Sequence, residues 1–309
     1  MMTQINFLRV LLVFVLLFLI NEISVFAQST TDGFMMAKGN LCLVGDYSHE
    51  SWKNYWEGTK KKESHYVGTF NSESVNVMFG LGIVDNLLFT GSLPYIWTSS
   101  TEFYNSGQNG FQDLSIGLKW KSIEKHIPRG DISFQPSVSG TIPISDYIPD
   151  MMPYSIGNQS KTFSGNALVH YAMEKNFYVT LQWGYVYRDN ITIDATSYYY
   201  NEKLYYTNEV FIPNLIQYGA CFGYDVERFR AEGWFTVQNS QGGSDIRPND
   251  KPYPFNRMSF TKAGLAGKYH FEKISNLSLT ASVGYTFDGR NIGQSFSYLA
   301  GIQYILKCF

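Results

Sequence analysis

Beyond residue 20 the chain lacks long hydrophobic runs, and charged residues are few, at 16%. Spanning a membrane with a helix takes about twenty consecutive apolar residues, so the remainder of the chain is not a helical membrane protein. The net charge of -2 gives no electrostatic attraction to nucleic acid. We therefore expect no nucleic-acid partner.

Cysteine is scarce, and its spacing excludes two further classes of protein. Cys42, Cys221 and Cys308 are far apart and form no CxxC motif. An odd number of cysteines cannot form a complete disulfide framework, and separated cysteines do not suggest a metal or redox site. We interpret them as small apolar filling residues.

Motifs for catalysis are absent as well. The chain has no phosphate-binding loop and no metal-ligand spacing, so no cofactor and no metal is expected. Barrel phospholipases place Ser-Asn-Gly close behind a catalytic histidine, and none of the five histidines here is followed by such a sequence. Without a base beside a nucleophile, hydrolysis has no mechanism. We expect a protein that is not an enzyme and has no catalytic residues.

The N-terminus carries an export signal. Arg9 precedes an apolar run from Val10 to Ile20, and Val25-Phe26-Ala27 has small residues where a signal peptidase cleaves. The run is too short for a membrane anchor. The sequence therefore predicts a signal peptide over residues 1–27 and a mature domain over residues 28–309. Residues 28–37 form a lead-in that is too short to be a plug domain.

An alternation of period two dominates residues 75–121. Val75, Val77 and Phe79 alternate with Asn76, Met78 and Gly80, and the pattern continues to Trp120. Successive side chains of a strand point to opposite faces, so this pattern gives each strand one apolar and one polar face. Segments of about ten such residues suit strands that cross a bilayer at a tilt.

The same unit repeats along the chain and predicts an antiparallel, up-and-down transmembrane β-barrel of about twelve strands. Tyr and Phe are abundant, at 23 each. Short turns and long loops alternate, as in the barrels of the Gram-negative outer membrane, which have short turns in the periplasm. Both termini are then periplasmic. Pro136 and Pro143 predict a bend or bulge in the fifth strand, and residues 122–130 a turn. We expect outer-membrane lipid as one partner, and the barrel-assembly machinery, through the last strand and Phe309, as another.

Several segments resemble a known family. Residues 82–87 (GIVDNL), 93–96 (LPYI), 110–120 (GFQDLSIGLKW) and 139–143 (SGTIP) are similar to successive signatures of the outer-membrane proteins named for the meta-pathway of phenol degradation. That resemblance implies a porin-like barrel transporter for aromatic or other apolar compounds, distantly similar to long-chain fatty-acid channels. It does not imply a substrate, because the matching positions belong to turns and strand packing.

Ionisable residues on the polar faces are the candidates for a site in the lumen. They form either a charged constriction or binding site, or a paired polar network that stiffens the wall. These candidates are Asp113, Lys119, His170, Arg188, Arg230, Glu232, Lys262 and Lys268.

Aromatic residues of the outer loops are the second group of candidates, chiefly Trp52, Trp56, Tyr199 and Tyr205. They form either an apolar patch that captures hydrophobic solutes, or the packing of loop hairpins near the membrane interface. The function predicted is uptake of a small hydrophobic or aromatic solute. The alternative is a surface protein, an adhesin or membrane organiser, whose lumen is filled by its own side chains.

Overall fold

Segments that alternate between apolar and polar side chains form long strands in the computed structural model of the protein. The structure describes residues 30–65, 67–102, 107–200, 202–247, 252–274 and 276–309. The predicted signal peptide, residues 1–27, lies outside the described residues, as do the first two residues of the lead-in. None of the described residues belongs to a helix with the length and hydrophobicity that a bilayer span requires.

The wall of the molecule consists of twelve antiparallel strands, which confirms the predicted fold. They are β1 (Asn40–Trp52), β2 (Phe70–Val84), β3 (Leu87–Ser100), β4 (Asp113–Trp120), β5 (Gly130–Pro143), β6 (Thr162–Met173), β7 (Phe177–Arg188), β8 (Asn214–Val226), β9 (Phe229–Gln241), β10 (Ser259–His270), β11 (Leu277–Arg290) and β12 (Phe296–Lys307).

The sheet closes on itself. Each strand pairs with the next, and β12 pairs with β1 from Asn40↔Lys307 to Ser51↔Phe296. Closure leaves no edge strand of the wall exposed, which a barrel in lipid requires. One end, here the turn end, carries the short connections such as residues 85–86 and 174–176, together with the residues before β1 and after β12. The opposite end, the loop end, carries the long connections.

The strand β4 is longer and less regular than the sequence predicts. Asn109–Phe111 pairs with β3 ahead of it, and Ile123–Ile127 pairs with β5 after it. The predicted turn over residues 122–130 is therefore wrong, because most of it is a strand. The chain advances four residues from Lys119 to Ile123 while its partner advances three, from Ser137 to Phe134.

This irregularity lies opposite Pro136. The pairing of β5 with β6 has no register shift there, so the bulge predicted within β5 lies in the neighbouring strand instead. Proline lacks an N–H and cannot donate to the ladder. The strand facing it accommodates the missing bond with one extra residue.

The two faces of the wall differ as the alternation predicts. Large apolar side chains stand exposed on the outside, such as Val77 (60%), Phe163 (58%) and Leu265 (66%). The residues between them, such as Gln135, Ser137 and Thr180, are buried inside the barrel. An apolar surface that surrounds the whole wall is suited to lipid.

Among the described residues, three small two-stranded sheets lie at the loop end, and the second encloses the third within one connection. Their paired segments are Asn54–Glu57 with Lys60–Glu63, Ile191–Thr192 with Glu209–Val210, and Tyr198–Tyr200 with Lys203–Tyr205.

Candidate transport lumen

The lead-in lies inside the barrel. From the turn end, residues 30–36 enter the lumen and contact inward-facing residues of β4 to β7 and β9. Although it is too short to form a separate plug domain, this segment obstructs part of the lumen. An extended chain spans about 3.3–3.6 Å per residue, so seven residues are long enough to cross much of a narrow barrel.

The ammonium group of Lys119 is the main contact of the lead-in with the wall. Its Nζ donates to the Asp32 carboxylate (3.0 Å), to the Asp32 carbonyl (3.0 Å) and to the Phe34 carbonyl (2.6 Å). The Lys119 side chain is fully buried, with no exposed area. A buried ammonium is costly unless its three donors find acceptors, and the lead-in supplies them all.

Further wall side chains donate to the backbone of the lead-in. Gln135 binds the Gly33 carbonyl (2.8 Å), and Ser137 binds the Thr30 carbonyl (2.9 Å). A Cβ atom at Gly33 would lie 2.0 Å from Nδ1 of His170. Only glycine fits at this close approach between the lead-in and β6.

The aromatic ring of Phe34 lies among three wall residues. The Arg230 guanidinium is 3.4 Å from the ring centroid, and the rings of Tyr178 and His170 are at 5.1 and 5.2 Å. Cation–π and edge-to-face contacts of this kind are specific in geometry as well as attractive. The wall therefore holds both the backbone and an aromatic side chain of the lead-in.

A small apolar cluster fixes the other end of the lead-in. Met36 is fully buried against Cys42, Val44, Leu88 and Ile305, which are inward-facing residues near the turn end. The interpretation of the cysteines as apolar filling residues suits Cys42. It does not suit Cys221, whose thiol donates to Glu232 (3.5 Å) in the polar lumen. No disulfide joins the three cysteines, all of which the structure describes.

The structure places the eight charged candidates on inward-facing positions but separates them into two groups. Lys119, His170, Arg230, Glu232 and Lys268 lie around the lead-in or the cavity next to it. The others, Asp113, Arg188 and Lys262, lie near the loop end.

Most of these candidates have partners. Arg230 pairs with Asp225 (2.9 Å), Lys262 pairs with Glu50 (2.7 Å), and Asp113 accepts from the Tyr147 hydroxyl (2.6 Å). Glu232 accepts from the Tyr178 hydroxyl. Pairing of this kind stiffens the wall as well as setting the charge of the lumen.

A cavity of about 470 Å³ lies beside the lead-in, between it and the wall formed by β7 to β11. Threonine, serine and glutamine side chains line much of it, together with Arg230, Glu232 and Lys268. The Trp234 ring forms one wall and packs over Gly264 and Gly284, where added Cβ atoms would lie 2.5 and 2.9 Å from it. Two glycines on adjacent strands therefore let the indole lie against the wall.

The four aromatic loop candidates do not form one surface. Trp56 is 6% exposed and packs on Gly289, while Trp52 packs on Gly293 and stacks on Phe70 (5.2 Å). Of the two interpretations of these tryptophans, the contacts favour packing of the loop hairpin, because the rings lie against Gly289 and Gly293 at the end of β11 and just after it.

Tyr199 and Tyr205 are exposed, at 54% and 39%, on a different hairpin. Tyr205 stacks on Tyr198 (5.5 Å), and the Arg247 guanidinium lies 5.1 Å from the Tyr199 ring. The interior of this loop cluster is apolar and comprises Ile191, Ile193, Val210, Ile212 and Phe255.

The carboxylate of Asp245 fastens the long loop after β9. It accepts two bonds from Arg290 (2.7 and 2.6 Å) and one from Asn291 (2.9 Å). The hydrogen bond from Arg290, followed by that from Asn291, outweighs partial burial and lowers the pKa of Asp245. The sequence does not reveal this role of Asp245, because its partners Arg290 and Asn291 follow more than forty residues later, after strand β10.

Within the described ranges, no group of three or more His, Cys, Asp or Glu side chains is placed to hold a metal ion. The residues around the cavity instead offer hydrogen bonds, charge and aromatic faces. This combination can bind a solute.

No family model matches the chain, and no curated protein matches its sequence. Among solved structures, the COG4313 outer membrane channel from Pseudomonas putida F1 is similar, with a TM-score of 0.68 and 13% identity over 91% of this chain and 100% of that chain. The NanC porin has a TM-score of 0.47 and 11% identity over 85% of this chain and 98% of that chain. The Pseudomonas putida toluene transporter TodX has a TM-score of 0.40 and 9% identity, over 89% and 90%.

At such identities the likeness concerns the fold alone, and the two scores below 0.5 carry no argument. The chain has the fold of an outer-membrane β-barrel channel.

Proposed function

We propose that the protein is an outer-membrane channel through which small solutes with an aromatic or other apolar part enter the cell. The long loops face the exterior, and the short turns and the end of the last strand face the periplasm, because outer-membrane barrels are oriented in this way. The lead-in enters the lumen from the periplasmic end, and Thr30 lies inside it beside Ser137. The lumen is the path of the solute. The protein acts by binding and passage and not as an enzyme.

The observation that carries this proposal is the nature of the obstruction in the lumen. Wall side chains leave a cavity of about 470 Å³, and the segment that borders it is the lead-in, which precedes β1 and belongs to no strand of the wall. A channel closed by its own wall would have to rebuild the barrel in order to open. A channel closed by a lead-in opens when the contacts of one short segment are released, and the barrel itself stays intact.

The lining of the cavity supports solutes that are partly apolar. Trp234, Tyr178 and Phe34 present aromatic surface, and Thr180 and Thr236 lie among them. Ligand sites are commonly apolar with a few placed polar groups.

Uptake by cells tests this function. Radiolabelled toluene, benzyl alcohol and a fatty acid are offered to an outer-membrane-bearing host with and without the protein, and matched amounts of correctly assembled barrel are verified. We expect faster entry of at least one aromatic solute when the protein is present. If each of the three solutes entered equally fast with and without the protein, the channel function would be contradicted.

One observation favours the alternative, a surface protein that does not transport. The lead-in already fills part of the lumen, and Lys119 binds it through three hydrogen bonds. If the lead-in never leaves, the loops alone are functional. Equal uptake with and without the protein would support that alternative.

The C-terminus supports assembly through the barrel-assembly machinery. Strand β12 ends at Lys307, and the Phe309 side chain is 66% exposed beside it. An exposed terminal aromatic next to the last strand is available for recognition before the barrel closes. Removal of Phe309 should therefore slow assembly in cells more than it slows folding into lipid vesicles in vitro.

A further inference from the structure

We infer that the wall site occupied by Phe34 is a binding site for a free arylalkanoate, a compound with an aromatic ring joined by a short chain to a carboxylate. Such a solute would displace the lead-in and open the lumen. The inference rests on the proposed channel function and names its substrate class.

The ring end of this site is built from the wall alone. Arg230, Tyr178 and His170 come from β9, β7 and β6, and they surround the Phe34 ring at centroid distances of 3.4, 5.1 and 5.2 Å. Arg230 is fixed by Asp225, and Tyr178 is fixed by Glu232, so neither residue depends on Phe34 for its position. Any aromatic ring of similar size can make the same contacts.

The oxygen end of the site is Lys119. Its Nζ binds the carbonyl oxygen of Phe34 at 2.6 Å, so the wall holds both ends of one residue. From ring to carbonyl, a phenylalanine residue has a ring, two carbons and a C=O group. That connectivity is the 3-phenylpropanoyl group, and the free compound that reproduces it is 3-phenylpropanoate.

Charge makes an anionic solute the better replacement. When the lead-in leaves, Asp32 leaves with it, and the fully buried Lys119 loses its carboxylate partner. The ammonium group, left without a carboxylate in a lumen that also contains Arg230 and Lys268, attracts an anionic group. A carboxylate at Lys119 restores the pair, whereas a neutral aromatic compound does not.

The cavity provides the approach to the site. Asp32, Gly33, Phe34, Tyr178 and Arg230 all line it, so the site and the cavity are continuous. A solute in the cavity therefore reaches the edge of the Phe34 site before the lead-in has left. The solute can then replace the contacts of Phe34 one at a time.

Binding to the purified protein in detergent tests the inference, with 3-phenylpropanoate as the probe and calorimetry as the readout. Two compounds serve as controls: 3-cyclohexylpropanoate lacks the π-face, and 3-phenylpropan-1-ol lacks the charge. We expect the probe to bind at least about tenfold more tightly than either control, which corresponds to about 1.4 kcal/mol. Equal affinities for the three compounds would overturn the inference.

Two variants separate the site from the lead-in. Phe34→Ala weakens the internal competitor and leaves the wall intact, so the apparent affinity for the probe should rise about tenfold, because a larger fraction of the molecules has an empty site. Lys38 is exposed just outside the lumen, so Lys38→Ala should leave the apparent affinity for the probe unchanged. An unchanged affinity in Phe34→Ala would show that the lead-in and the probe do not share a site.

Lys119→Met should abolish the preference for the acid over the alcohol, and Lys121→Met, whose ammonium pairs with Glu124 at the surface, should keep it. If Lys119→Met does not fold, the Phe34→Ala result decides alone.

Conductance in planar bilayers distinguishes a failure of this inference from a failure of the proposed channel function. A protein that conducts but ignores the probe retains the channel function and loses this inference, whereas absence of conductance in both the native protein and Phe34→Ala contradicts the channel function itself.

Discussion

Lys119 Nζ lies 3.0 Å from the Asp32 carboxylate, although 87 residues separate the two in sequence. One residue belongs to a wall strand and the other to the lead-in, so this contact joins the barrel to the segment that obstructs it. An ion pair out of bulk water is strong only while its geometry holds. The Lys119–Asp32 pair is therefore suited to a lead-in that is either fully bound in the lumen or fully displaced from it.

The assignment of faces predicts opposite outcomes for two neighbouring residues. Leu181 is 53% exposed on the outer wall, and Gln182 lines the cavity. Leu181→Arg should reduce the free energy of folding into lipid vesicles by about 2–4 kcal/mol, since a charge near the midplane meets hydrocarbon. Gln182→Arg should cost much less. Urea titrations of the two variants measure the difference, and equal losses would show that the faces are assigned wrongly.

Orientation in the membrane can be tested by labelling single cysteines on intact cells. In a background without the native cysteines, residues introduced at Lys60, Tyr199 and Asp245 should react with an impermeant maleimide. Residues introduced at Asn86 and Lys175 should react only after lysis, because they occupy turns at the opposite end. External labelling at position 86 or 175 would show that the barrel has the opposite orientation in the membrane.

Low pH should release the loop after β9. Since the folded pKa of Asp245 lies below its ordinary value of 3.8, its ion pair stabilises the docked loop fully above pH 4 and is lost as the pH falls through the folded pKa. Hydrogen exchange of residues 242–247 and 252–258 should therefore accelerate below that pH.

Asp245→Asn should give fast exchange of this loop already at neutral pH, and Asp194→Asn, an exposed carboxylate on another loop, should not. Slow exchange in Asp245→Asn would show that other contacts hold the loop.

The loop tryptophans and tyrosines should respond differently to substitution. Trp56→Ser removes a buried ring from the surface of Gly289 and should destabilise the first hairpin by about 3 kcal/mol, in the range of large core deletions. Tyr199→Ser changes an exposed residue and should alter stability by at most about 0.5 kcal/mol. Limited proteolysis of residues 53–69 measures the first effect. Equal resistance of the two variants would mean that Trp56 is not structural.

The sequence predicts the wall well because one local rule governs it. Alternation with period two is visible in residues 75–121 and again in β11 and β12, and membrane strands must obey it on both faces. The rule fails at Ile123–Ile127, where alternation is weak and all residues but the last are exposed. There the pairing with β5 decides the conformation.

The lumen is less predictable because its contacts are not local. Wall charges such as Arg230 could be placed on the inner face by parity, but the segment they hold has no periodicity. Asp32 and Phe34 acquire their roles from partners on strands far along the chain. An acidic and an aromatic residue between the predicted cleavage site and the first strand are the only signal in the sequence. The contacts of the loop aromatics are hard to predict for the same reason, since Trp56 packs on Gly289, more than two hundred residues away.

Single-channel conductance in planar bilayers shows whether the lead-in closes the channel. The native protein is compared with a variant that lacks residues 30–34, which keeps Met36 and its apolar cluster. We predict low or intermittent conductance for the native protein and a steady, several-fold larger conductance for the variant at the same salt concentration. Equal conductance, or none in either protein, would contradict the account.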